Sequence, residues 1–193
     1  MQMRRFSTLA LVLVSAACVS RGTAAPAAPA PDPEELVWAA VLQTFVTDST
    51  ERVIVHDSTL TFPLDARDVA DLPRRLPGAR VELGRSFVEA NASRSALPAF
   101  TALGVPVVRV GEAGLASFGR GDPNAFWRAF YSAYPRSPGL IRLSRVGFDP
   151  ERQQALVFVS HGCGGRCGSG AYLLLSSEGG SWAVVGKSGE YVN

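Results

Sequence analysis

The chain is short of the residues that most often carry chemistry. Its 193 residues include two histidines, three cysteines and a single lysine, Lys187. A closed zinc site needs four ligands. His161, Cys163 and Cys167 offer three, and the other histidine, His56, is far away in sequence. Neither H-E-x-x-H nor G-x-S-x-G occurs, so the zinc-protease and α/β-hydrolase signatures are missing. Gly186-Lys187-Ser188 ends like a P-loop, but Ser181 stands where the leading glycine belongs and no helix follows. Haem attachment places a histidine after C-x-x-C, and that order is absent. No cofactor and no metal are therefore expected. Long apolar runs are lacking too: the stretch Leu9 to Val14 is too short to span a bilayer as a permanent helix. Nor is there a surplus of either charge. With 19 basic and 17 acidic residues, the chain has no electrostatic case for nucleic acid as a partner.

What is present begins with an address. Arg4 and Arg5 form a positive leader, Leu9 to Val14 an apolar core, and Ser15-Ala16-Ala17 a small-residue cleavage site. This reads as a signal peptide over residues 1–17. Ser15-Ala16-Ala17-Cys18 resembles a bacterial lipobox, departing from it at Ser15, where Leu or Val is usual. On that reading Cys18 takes lipid and anchors the chain to the membrane. On the plainer one Cys18 merely follows the cut. Either way export is expected: to the periplasm or outer cell envelope if the chain is lipid-anchored, and otherwise as a secreted protein. Cleavage would remove Arg4 and Arg5 and leave 17 basic against 17 acidic residues. Residues 18–33, rich in Ala and Pro, read as a tether.

A single domain is expected over 34–193, of class α+β: an antiparallel sheet with a C-terminal β-meander, packed on one face by about three helices. The helices fall at 34–46, 82–92 and 123–134, the last capped by Asp122 with Pro123 in its first turn. Arg52 to His56 and Val105 to Val110 read as strands, with Pro106 suiting an edge. Asp65 to Leu76 is a weak helix interrupted by proline, and Gly111 to Gly121 a Gly-rich connection. In the third helix Phe126, Trp127, Phe130, Tyr131 and Tyr134 form a broad aromatic stripe. Helical spacing favours core packing, with Trp127 buried; a carbohydrate-stacking face is the functional alternative.

The meander follows. Apolar runs at Ala155–Val159, Tyr172–Leu175 and Trp182–Val185 alternate with glycine-rich or polar breaks, so that 155–160 and 171–176 should be antiparallel neighbours. The pattern W-x-x-F-Y-x-x-Y-P-x-S-x-G from Trp127 to Gly139 precedes L-S-R-V-G-F (143–148), A-L-V-F-V (155–159), G-x-G-x-Y-x-L-L (168–175) and G-x-W (180–182). Over roughly residues 81–193 this resembles a family of exported or lipid-anchored bacterial proteins with no assigned activity. The resemblance implies no catalytic residues.

The tip between the first two meander strands reads C-G-G-R-C. In an oxidising compartment Cys163 and Cys167 pair most simply as a disulfide, the remaining cysteine being Cys18. Bridgeable cysteines need Cα atoms within about 7 Å, which requires a three-residue loop, Gly164-Gly165-Arg166, or a wider one. Glycine would supply positive φ there. A redox dithiol is the alternative, but the spacing is not C-x-x-C and no helix follows to activate a thiol. Arg166 would sit at the apex, where it and His161 are possible contacts for an unknown protein or small ligand. The expectation is a non-enzymatic binding or interaction domain of the cell envelope. The alternative is an enzyme with its site near the His161–Cys167 tip, which would require His161, Arg166 and a carboxylate to converge in one concave place.

Overall fold

In a computed structural model the described residues are 32–61, 66–100, 103–119 and 121–192. The expected signal peptide, Cys18 and almost all of the tether lie outside them. The elements run α1 (Pro33–Gln43), β1 (Val53–His56), α2 (Ala66–Arg75), α3 (Val81–Ala90), β2 (Val107–Val110), α4 (Glu112–Ala116), α5 (Pro123–Ala133), β3 (Leu140–Leu143), β4 (Gly147–Phe148), β5 (Gln154–Gly164), β6 (Cys167–Glu178) and β7 (Ser181–Val192).

The α+β class and the antiparallel meander stand: β5, β6 and β7 are successive neighbours, with Ala155 opposite Leu175 and Ser160 opposite Gly170. The N-terminal half adds something different. The sheet order is β2-β1-β3-β5-β6-β7, with β4 pairing to β5. β1 runs parallel to both β2 and β3, so the seven-stranded sheet is mixed. All four residues of β1 are buried. A strand flanked on both sides and covered on both faces needs such an unbroken apolar run.

Helices cover both faces of the sheet rather than one. α1 lies on the first face, where Val37, Val41 and Leu42 pack with Val53, Val55, Ile141, Val157 and Leu173. Its start is fixed by Asp32, which accepts the Glu34 amide at 2.8 Å. Trp38 then donates from Nε1 to the Ser144 carbonyl at 2.9 Å, so the buried indole is not left unpaired. The second face carries two clusters. Leu72 of α2, Leu76 just beyond its end, and Leu83 and Phe87 of α3 meet Leu156, Phe158 and Tyr172. Leu115 of α4 and Phe130 of α5 meet Ile54, Val110 and Leu140.

Two of these helices depart from expectation. α2 runs through Pro73 to Arg75, and the Leu76 amide still reaches the Leu72 carbonyl at 2.8 Å. The Gly-rich connection after β2 contains the short helix α4. Leu115 is the one apolar anchor that justifies it, buried to 6 % exposure.

Edges and close approaches complete the frame. Four-residue β2 is one edge, with Pro106 just before it as expected. Twelve-residue β7 is the other, and it is bulged twice. Gly170 pairs Tyr191 but Ala171 pairs Gly189; Leu174 pairs Gly186 but Leu175 pairs Val184. The extra residues, Glu190 and Val185, are both on β7. Gly147 admits the backbone of α3: a Cβ there would stand 2.5 Å from the Phe87 amide nitrogen.

Candidate functional site

The aromatic helix and the hairpin tip meet on the second face of the sheet. α5 begins at Asp122, which accepts the Asn124 amide at 2.9 Å, and Pro123 occupies the first turn as the sequence implies. Residues four apart lie one above the other on a helix. This puts Trp127 over Tyr131, and Asn124 over Arg128 on the neighbouring line. The Trp127 and Tyr131 rings stack with centroids 5.7 Å apart and planes 30° from parallel.

Phe130 takes the core position of this helix and is fully buried. Phe118, Phe126, Trp127, Tyr131 and Tyr134 all make ring contacts to it. Trp127 was expected to be buried as well; it is only partly buried, packed against the margin of this cluster. The stripe is wider than the strip of sheet it covers. Three residues along a helix turn the side chain by about 60° from the starting line, which carries Trp127 from beneath the helix to its rim. The ring there rests on Gly162, whose added Cβ would meet it at 3.2 Å. The bare Gly162 backbone supports the ring at this point but offers no side chain to enclose it.

The tip itself is held in three ways. Cys163 and Cys167 are disulfide-bonded, with Cα atoms 5.0 Å apart. Tyr131 donates its hydroxyl to the Cys163 carbonyl at 3.0 Å. Burial raises the Tyr131 pKa above the ordinary 10.0, which keeps that hydroxyl a donor. The third tie is Gly139, in the left-handed region at φ 121°, whose missing Cβ leaves room for the Gly162 carbonyl oxygen.

The register differs from the expected three-residue loop. Gly162 pairs Gly168 and Gly164 pairs Cys167, so the turn is only Gly165-Arg166. Cys163 is the extra residue of a bulge, and this is how cysteines in an offset register come side by side. Neither Gly164 nor Gly165 adopts positive φ. At Gly165 the space is tight: a Cβ would lie 3.1 Å from Asn124 Oδ1.

Between helix and tip lies a groove of about 490 Å³, lined by Asn124, Trp127, Arg128, Tyr131, Gly164 and Gly165. Of the residues singled out in the sequence, Trp127 and Tyr131 line it, and the Cys163–Cys167 disulfide closes the turn that carries Gly164 and Gly165. Arg166 is exposed at the apex, with no ion pair among the described residues. His161 belongs to the opposite face of the sheet, paired with Ile141. Its Nε2 lies 2.7 Å from the Pro138 carbonyl, and its ring packs on Phe45 with centroids 5.0 Å apart. His161 and Arg166 therefore do not converge, and no carboxylate lines the groove. Among the described residues no group of three His, Cys, Asp or Glu is placed to hold a metal ion. Asn124 and Arg128 were missed in the sequence. Their signal was the same four-residue spacing that marked the rings.

No protein-family model, curated protein or solved structure matches the chain, so the reading of this site rests on its own geometry.

Proposed function

We propose that this is a non-enzymatic binding domain of an exported, envelope-tethered protein, and that it binds a saccharide in the groove between α5 and the hairpin tip. One observation carries the reading: two stacked rings, Trp127 and Tyr131, only partly buried and lining a groove beside a covalently closed turn. A sugar presents a flat C–H face and a rim of hydroxyls. The indole accepts the first, and Asn124 and Arg128 supply donors for the second. A site closed by a disulfide, a hydrogen bond and a glycine contact loses little conformational freedom on binding, which favours affinity. Export by the signal at 1–17, with or without lipid on Cys18, would present the domain to envelope glycans.

The test is titration of the mature chain with cell-wall oligosaccharides, read by tryptophan fluorescence. Saturable quenching is expected, lost in Trp127→Ala and weakened in Arg128→Ala. Unchanged fluorescence across a broad glycan panel would sink the saccharide reading. Arg166 is a further contact at the apex: Arg166→Ala should weaken binding while leaving the melting temperature nearly unchanged.

A further inference from the structure

A second hollow lies on the same face, over β3 and beside α4. The chain leaving β1 goes to β2 on one side, whereas β3 flanks β1 on the other and continues into β4 and β5. The crevice lies beneath α4 and α5. It measures about 390 Å³ and is lined by Glu112, Leu115, Phe126, Leu140 and Arg142, with the small residues of α4 between them. That volume is within the range of small-molecule sites, about 300–1,000 Å³.

Its two charges are arranged for use. Arg142 is half-buried on β3, and among the described residues it has no carboxylate or other hydrogen-bond partner. A guanidinium taken partly out of water without a counter-ion is unfavourable, and a ligand anion would relieve it. Glu112 is fixed by His56, a buried residue at the end of β1. His56 Nδ1 lies 3.1 Å from the Ser58 carbonyl oxygen and 3.2 Å from the Ser58 amide nitrogen, which holds the ring in place. Nε2 donates to Glu112 Oε1 at 3.1 Å. Glu112 Oε2 remains for a ligand cation at the mouth, where the side chain is 68 % exposed. Leu115, Phe126 and Leu140 form an apolar wall beside the two charges.

We infer that this crevice binds a small α-amino acid with an apolar side chain, its carboxylate on Arg142, its ammonium on Glu112 and its side chain against Leu115, Phe126 and Leu140. The site is independent of the saccharide groove and does not rest on that reading.

The experiment is calorimetric titration of the mature chain with three probes of one skeleton: L-leucine, 4-methylpentanoate, which lacks the amino group, and 3-methylbutylamine, which lacks the carboxylate. Leucine is expected to bind, and each singly charged analogue to bind at least about tenfold more weakly, the cost of roughly one lost charge contact. Glu112→Gln changes an exposed side chain and should leave the fold intact. It should reduce leucine binding toward that of 4-methylpentanoate and leave 4-methylpentanoate itself unaffected. Arg142→Gln should abolish binding of both carboxylates, with Arg142→Lys retaining a weakened response should the first variant fail to fold. Arg128→Ala, at an exposed residue that lines the groove but not the crevice, should leave leucine binding unchanged, which separates the two sites. No heat with leucine up to about 10 mM, equal binding of leucine and 4-methylpentanoate, or indifference to both Glu112→Gln and the Arg142 variants would each overturn the inference.

Discussion

Trp127 and Phe130 stand three residues apart on one helix and do different work. Phe130 is enclosed, and Phe130→Ala should cost about 3–5 kcal/mol, in the range of large aromatic truncations. Trp127 keeps part of its ring in solvent, so Trp127→Ala should cost about 2 kcal/mol or less while removing ligand binding. Chemical denaturation of the two variants checks the ordering. A Trp127 loss equal to that of Phe130 would return the ring to the core. The cysteines give a second prediction. Intact mass should fall by two hydrogens on oxidation of the pair, and loss of so small a ring should cost only about 2 kcal/mol. Reduction should therefore reshape the groove more than it unfolds the domain. Gly139 gives a third: Gly139→Ala combines a left-handed φ with a collision against the Gly162 carbonyl. It should lower the melting temperature more than the Cys163→Ala/Cys167→Ala double variant does.

At the level of elements, the docking of α5 on the hairpin has a pH signature. Burial raises the Tyr131 pKa in the folded chain above its unfolded 10.0. Tyr172, between α3 and the meander, is raised further, by burial foremost and with Arg75 opposing. The folded state therefore holds these protons where the unfolded state releases them. Their contribution to stability is complete below pH 10 and is lost as pH climbs from there through the raised values. Melting temperatures recorded across that range should fall, and Tyr131→Phe should flatten the fall while loosening the tip. The meander, α5 and the edge position of β2 were legible because each is a local pattern: alternation, a cap with spaced rings, a proline. The partners of β1 were not. Val-Ile-Val-His reads as a strand but carries no label for β2 or β3, which join it from fifty and more residues away. Helix α4 escaped notice because Leu115 alone anchors its five residues. The bulge at Cys163 escaped because register is decided by the whole ladder, not by the turn. Of the site, the rings and cysteines were visible one by one. Their meeting depended on Gly162 being bare, which no spacing rule encodes.

For the whole molecule, the proposals about export can be tested without any ligand. The mature protein should begin at residue 18, with masses before and after processing differing by residues 1–17. If Cys18 is lipidated, radiolabelled palmitate should enter the wild-type chain and be lost in Cys18→Ala. An unprocessed product confined to the cytoplasm would remove the signal, the anchor and the glycan-facing role together. If the anchor is real, the two outer strands acquire a significance they would not have in dilute solution. Molecules confined to a surface collide in two dimensions, edge against edge, far more often than free ones do. A smooth twelve-residue border would then act as a seed on which neighbouring copies could add strand to strand. The extra residues Val185 and Glu190 interrupt that border, and the opposite border is four residues long behind a proline. A crowded layer of these chains thus offers its neighbours no unbroken row of backbone donors, and density on the membrane need not become a fibre.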